Sequence, residues 1–211
     1  PTPPPPTPPR SPYTTLFRSL KENVCVTDLQ PLTALGGTED RCDIIGTLTL
    51  SEKSDLSFAS LATRRGVETG QRLRDLLTVA APGPGRAALT DRFSAIWMSA
   101  DQWLVSAPFD QCPDIAAELA KEIGPGVSIT DQTDAWVVFD LAGVAAADAC
   151  ERLCAVPVRQ MEAGHAQRTT VHQMGCFLIC FQTGHHVRFL APRSSAASFW
   201  HALETAARSV A

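Results

Sequence analysis

An α+β fold with mainly antiparallel sheets is what the sequence predicts, and three observations carry that expectation. Short alternating or wholly apolar runs recur along the chain, several of them in pairs close enough to form hairpins. Helical periodicity is confined to four segments lying between those runs. The order strand–helix–strand–strand occurs roughly twice, before and after about residue 125. Two related α/β sandwich halves of ferredoxin-like type are therefore expected, spanning about 42–125 and 126–211 and free to intertwine, although no clear sequence repeat links them.

The first expected strand is CDIIGTLTLSEK, from Cys42 to Lys53, and the second is DLSFASLATRRG. Leu73, Leu76, Leu77 and Ala80 recur at helical spacing, so a helix is expected over about 67–79. The run Pro82 to Gly85, PGPG, ends it in a loop. RAALTDRFSAIWM then reads as a strand, with QWLVSAP as its partner across a turn at Ser99-Ala100-Asp101. Pro113 suits a first helical turn, and Asp114 suits the positive end of the helix dipole. Ile115, Leu119 and Ile123 supply the apolar face of that helix, and Gly124-Pro125-Gly126 stops it.

VSITD and AWVVFDLAG follow as strands, the second apolar on both faces and so central in its sheet. Ala146, Ala149, Cys150, Leu153 and Cys154 mark the inner face of a third helix. Three strands come next, AQRTTVHQ, GCFLICFQ and HHVRFLAP, the last two joined at Thr183-Gly184. A final helix with Phe199, Trp200, Leu203 and Ala206 on its inner face is expected to be capped by Ser194 or Ser195.

The segment before these elements is of another kind. Half of the 16 prolines fall in the first 12 residues, a composition that cannot bury enough surface to offset chain entropy. PYTTLFRS, which contains the only tyrosine, Tyr13, matches one translated frame of a common sequencing-library adapter. Residues 1–19 are expected to be a disordered artefact joined to a gene fragment, and 20–211 to be the domain.

Composition narrows the functional classes. Hydrophobic residues make up 45%, charged residues 19%, and the net charge is −4. No run approaches the ~18 apolar residues of a membrane helix. A mildly acidic chain whose densest cationic pair is Arg64-Arg65 offers no footprint for nucleic acid. Seven cysteines, an odd number in a chain of this size, are expected to be reduced thiols in the cytoplasm.

Cys150 with Cys154, Cys176 with Cys180, and His165, His172, His185 and His186 raise the possibility of zinc. The cysteines, however, alternate with core residues, where free thiols behave as small hydrophobes. No Gly-x-Ser-x-Gly elbow, P-loop or GxGxxG occurs. Asp131 and Asp134 in DQTDAW read as turn formers rather than as an acid–base pair. Asp101 reads the same way, with Ser99 and Gln102 as a possible short capping box. Trp97 and Trp103 flank that turn as packing aromatics, leaving core and partner interface both open. Read from the residues alone, the chain presents no catalytic, cofactor or metal constellation of its own.

The ordered set LSEKSDLSFASLATRRG, IWMSADQWLVSAP, SITDQTDAWVVFDLAG, GHAQRTTVHQMGCFLICFQTG and VRFLAPRSSAASFWHALETAA resembles the gamma subunit of heterotetrameric sarcosine oxidase. Ser99-Ala100 and Ala142-Gly143-Val144 depart from that family at turn positions, where it has Gly-Pro and Ser-Gly-Pro. The resemblance implies a fold like the folate-binding region of the glycine-cleavage aminomethyltransferase. It also implies a non-catalytic subunit of a complex that oxidatively demethylates sarcosine with tetrahydrofolate as one-carbon acceptor. FAD, FMN, NAD, zinc and tetrahydrofolate are then expected on the alpha, beta and delta subunits, with this chain packed mainly against alpha. Trp97, Trp103 and Trp200 are the expected partner-interface residues. One alternative is a free-standing folate-dependent one-carbon transfer protein, in which Asp101 or Asp131 would face the pterin. Another is a small metal-binding module built from the Cys and His residues.

Overall fold

The computed structural model describes residues 30–64 and 69–211. The artefact expected at 1–19, Cys25, the Arg65-Gly66 turn and the expected helical residues 67–68 lie outside the described residues.

In chain order the elements begin with β1 (Cys42–Ile45), β2 (Leu48–Lys53), β3 (Leu56–Thr63) and α1 (Thr69–Leu77). They continue with β4 (Ala87–Ala88), β5 (Ser94–Ser99), β6 (Gln102–Pro108), α2 (Ile115–Ile123) and β7 (Val127–Asp131). The last set is β8 (Trp136–Gly143), α3 (Ala146–Leu153), β9 (Ala166–Val171), β10 (Met174–Gln182), β11 (His186–Pro192) and α4 (Ala196–Arg208). Two antiparallel sheets result, ordered β1-β2-β8-β11-β10-β9 and β4-β5-β6-β3-β7.

Strand alternation sorts the side chains into four layers. In β6, Trp103, Val105 and Ala107 pack with Leu73, Leu77, Ile115 and Leu119 of α1 and α2. Leu104 points the other way, into a cluster with Phe58, Val138, Phe177, Ile179 and Leu190 drawn from both sheets. In β8 and β10, Phe139, Leu141, Leu178 and Cys180 pack with Cys150, Phe199 and Leu203 of α3 and α4. The two sheets thus face each other, and each carries its helices on its outer side. Phe139 stacks on Phe199 at 6.1 Å and meets Trp200 edge-on at 5.3 Å, docking α4 on its sheet. Each such fully buried side chain contributes roughly 1.5–3 kcal/mol of transfer free energy.

Local chemistry fixes the helix ends. The Asp114 carboxylate accepts the Ala117 N–H at 3.0 Å, and Gly124, at φ +76°, ends α2. Ser195 occupies the N-cap position of α4 but makes no side-chain cap bond, because a 3-10 turn over Arg193–Ser195 leads into the helix.

The α+β class with mainly antiparallel sheets stands, and four boundaries differ from expectation. CDIIGTLTLSEK is a hairpin rather than one strand, since Gly46 at φ +58° reverses the chain between β1 and β2. RAALTDRFSAIWM is two strands, broken between Ala88 and Ser94. The first half runs from β3 to β7, so it begins near residue 56 and extends past 126. Within it, β3-α1-β5-β6-α2-β7 has the ferredoxin-like sheet order β5-β6-β3-β7. The second half repeats this with β8, α3, β10, β11 and α4, but its fourth strand is β2, supplied from the N-terminal side of the chain.

Candidate functional site

The two sheets separate at one end and leave a cleft of about 310 Å³. Its walls are largely apolar, with Phe58, Ile96, Ile179 and Leu190 among them, and Phe181 and Arg188 add an aromatic face and a cation. The loop residues Asp91 and Arg92 also line it. Concave, mostly apolar sites with a few placed polar groups are the usual form of small-molecule pockets.

Arg188 is held by strand register. It lies opposite Asp140, and both point away from α3 and α4, towards the space between the sheets. Its Nε donates to Asp140 Oδ1 at 2.7 Å and its Nη2 to Oδ2 at 2.8 Å. The guanidinium sits 4.6 Å from the Phe181 ring centroid, a cation–π distance, and the His186 ring lies 5.0 Å from Phe181 on the same assembly. His186 Nε2 is 3.5 Å from Asp140. Asp140 is 5% exposed. Burial works against its ionisation, but the bonds from Arg188 and His186 outweigh burial and bring the carboxyl down to about 2. The bidentate pair pins β8 to β11 and presents a cation, screened by an aromatic ring, to an apolar cleft. That is the chemistry of binding; none of the described lining residues pairs a nucleophile with a base.

The residues singled out from sequence fall elsewhere. Asp101 lies in an exposed turn at φ +58°, and its carbonyl accepts the Thr63 N–H at 2.9 Å. The Ser99 hydroxyl donates to Gln102 Oε1 at 2.9 Å across the hairpin; with no helix starting there, no capping box forms. Asp131 is exposed and accepts the Thr133 N–H at 2.8 Å, a turn-forming bond. Neither aspartate lines the inter-sheet cleft, which removes both as groups facing a ligand bound there.

Two of the three tryptophans proposed for a partner interface are core residues. Trp200 is 2% exposed and Trp103 7%, the latter donating its indole N–H to the Pro82 carbonyl at 2.9 Å. Inward strand and helix positions account for both. Trp97, opposite Trp103 on β5, is half-buried. Among the described residues the large exposed apolar side chains are instead Ile44, Val144, Leu32, Phe109 and Val79, with Ile44 the extreme at 81%.

Cys150 of α3 and Cys176 and Cys180 of β10 are buried in one core cluster between that sheet and its helices, and Cys154 is half-buried beside them. Burial first, and then Cys154, the Glu151 carboxylate and Cys180, push Cys150 upwards, and burial with Cys154 raises Cys176 to about 12. Among the described residues no group of three or more His, Cys, Asp or Glu side chains is placed to hold a metal ion. No described helix is long and apolar enough to cross a membrane.

Asp140 and Arg188 escaped the sequence reading. A signal was present: each is the one charged residue at the centre of an otherwise apolar strand, and the two charges are opposite.

These observations define a class, a four-layer α/β/β/α sandwich of two ferredoxin-like halves, the second completed by a strand from the N-terminal side. Solved structures share it. One chain of the heterotetrameric sarcosine oxidase from Corynebacterium sp. U-96 superimposes with a TM-score of 0.68 at 21% identity, covering 77% of this chain and 85% of that one. The glycine cleavage system aminomethyltransferase T from Bartonella henselae gives a TM-score of 0.56 at 14% identity over 78% of this chain. This chain spans half the length of that aminomethyltransferase. No family model and no curated protein sequence matches the chain.

Proposed function

We propose that this chain is a non-catalytic structural subunit of a heterotetrameric, sarcosine oxidase-type complex, which demethylates sarcosine oxidatively and passes the one-carbon unit to tetrahydrofolate. One observation carries the reading: the similarity to the sarcosine oxidase chain extends over most of both chains, 77% of this one and 85% of the other. A domain shared with a large multidomain enzyme would cover a small part of the second chain. In this reading FAD, FMN, NAD, zinc and tetrahydrofolate sit on the alpha, beta and delta subunits, and the chain packs mainly against alpha in the cytoplasm.

The test is co-expression of the full tagged chain with the alpha, beta and delta subunits of the same source. A yellow complex containing this chain in stoichiometric amount is the expected result. A colourless, soluble monomer that ignores those partners would refute it.

The inter-sheet cleft favours a second reading, a one-carbon protein that itself binds folate, with Arg188 and Phe181 in place of the expected aspartates. Titration of the isolated chain with tetrahydrofolate decides it: saturable binding weakened by Phe181→Ala supports this reading, and no binding ends it.

A further inference from the structure

The two halves align strand by strand, and the alignment leaves one place empty. A lateral row of partners in the larger sheet runs Cys180, Val187, Leu141, Leu50 and Asp43. The matching row in the smaller sheet runs Trp97, Trp103, Leu61 and Ile129, and stops. Both rows are anchored by the same irregularity, a one-residue register shift just before the hairpin turn, at Trp97/Ser99 and at Cys180/Gln182. β7 is thus the counterpart of β2, and nothing in the described chain is the counterpart of β1.

The consequences appear residue by residue. Leu48 and Leu50 of β2, beneath β1, are fully buried, whereas their counterparts Val127 and Ile129 are only half-buried. Arg64 N–H bonds the Gly126 carbonyl and Gln132 N–H the Phe58 carbonyl. Antiparallel alternation then directs the N–H and C=O groups of Val127, Ile129 and Asp131 away from β3, to the open side. These are the counterparts of Leu48, Leu50 and Glu52, which bond β1, as the Glu52 N–H to Arg41 carbonyl bond of 2.7 Å shows.

Alongside lies a groove of about 470 Å³ between β7 and α2, floored by the small side chains of Ala116 and Ala120. In the other half Ile45 of β1, 5% exposed, fills the core at the matching position. Arg64 lines the groove, with its Nε 3.3 Å from Ser128 Oγ and no carboxylate within salt-bridge distance among the described residues. The edge carries none of the Lys, Pro or bulge devices that usually guard exposed strands.

We infer that the β7 edge is completed by an extended segment of a partner subunit, added antiparallel as β1 is added to β2. That segment places an apolar side chain opposite Val127, over Ala116 and Ala120, and a carboxylate within reach of Arg64. Main-chain bonds to Val127 and Ile129 supply the pairing, and the groove and Arg64 select the sequence. The inference rests on the subunit reading above and adds where the partner binds.

The test measures amide hydrogen exchange at Val127 and Ile129 in the full chain, alone and in the complex co-expressed with the alpha, beta and delta subunits. It also measures the incorporation of Ile129→Pro, which removes an outward N–H while sparing the β3 ladder. We expect both amides to exchange freely in the isolated chain and to be protected at least ~100-fold in the complex. Incorporation of Ile129→Pro should fall ~tenfold or more. If the wild-type chain assembles but the amides stay unprotected, or the proline variant assembles equally well, the edge proposal fails and the subunit reading stands. Should the wild-type chain not assemble at all, both fall. Protection already present in the isolated monomer, or appearing in a homodimer, assigns the edge to this chain itself and overturns the proposal. The exchange measurement needs no variant, so a misfolded proline mutant leaves the test intact.

Discussion

Replacing Asp140 by Asn keeps the shape of the side chain and removes its charge, leaving Arg188 partly buried against Phe181 with one good acceptor instead of two. The magnitude follows from the carboxyl's displacement. An aspartate near 4 in the unfolded chain and at about 2 when folded contributes roughly 2–3 kcal/mol at neutral pH. Because the folded value is depressed, that contribution is fully present above about pH 4 and is lost as the pH falls from about 4 towards 2. The figure lies just below the ~3–5 kcal/mol lost when one member of a fully buried pair is removed, as it should with Arg188 20% exposed. Urea denaturation of wild type and Asp140→Asn at pH 7 and near pH 2.5 is the assay. The wild type should be more stable by ~2 kcal/mol at pH 7, a melting-temperature difference of about 4–8 °C. Near pH 2.5 most of that difference should be gone. A difference under ~0.5 kcal/mol at pH 7, or one unchanged at the acid end, would refute the account of Asp140 as a charge held down by Arg188 and His186.

Trp200→Ala should cost ~3–5 kcal/mol because the side chain fills the core beneath α4, whereas Trp97→Ala should cost ~1 kcal/mol; equal losses in denaturant titration would contradict their different burial. Gly143 has φ +136°, and a Cβ there would fall on the Thr47 carbonyl, so Gly143→Ala should destabilise by more than ~2 kcal/mol in the same assay. Among the described cysteines, a thiol reagent at neutral pH should modify the exposed Cys42 first and leave Cys150, Cys176 and Cys180 untouched until denaturant is added, which mass mapping of the labelled peptides reads directly.

Much of the fold was legible because the decisive signals were local. The Ile115–Leu119–Ile123 spacing and the Trp97/Trp103 hairpin each need only a dozen residues of sequence, whereas α2 starts at Ile115 with Asp114 as its cap, two residues after the expected start at Pro113. The β1–β2 turn was hidden because Gly46 and Thr47 are small and uncharged, so the apolar alternation from Ile44 to Leu50 passes through them without a visible break. Lending β2 to the second half could not be read, since Leu50 and Leu141 are joined only by register across the intervening domain half. The Asp140–Arg188 pair failed for the same reason, compounded by the apolar strands around each charge, which read as plain core. The burial of Trp200 was visible in its helical phase with Leu203; its assignment to an interface gave more weight to residue type than to position.

The borrowed strand also sets an order of assembly. Residues from β3 to β7 are consecutive and contain every strand of their own sheet, so that half can close as soon as it has been synthesised. The β1–β2 hairpin, made earlier, has no place to dock until β8 emerges some ninety residues behind it. During that interval Leu48 and Leu50 have no core to enter, and the hairpin waits as a sticky ribbon with the β8-facing edge of β2 open, tethered to a neighbour already closed. Synthesis rate and chaperone supply should therefore bear on the second half and leave the first almost indifferent, although the two halves share one strand order.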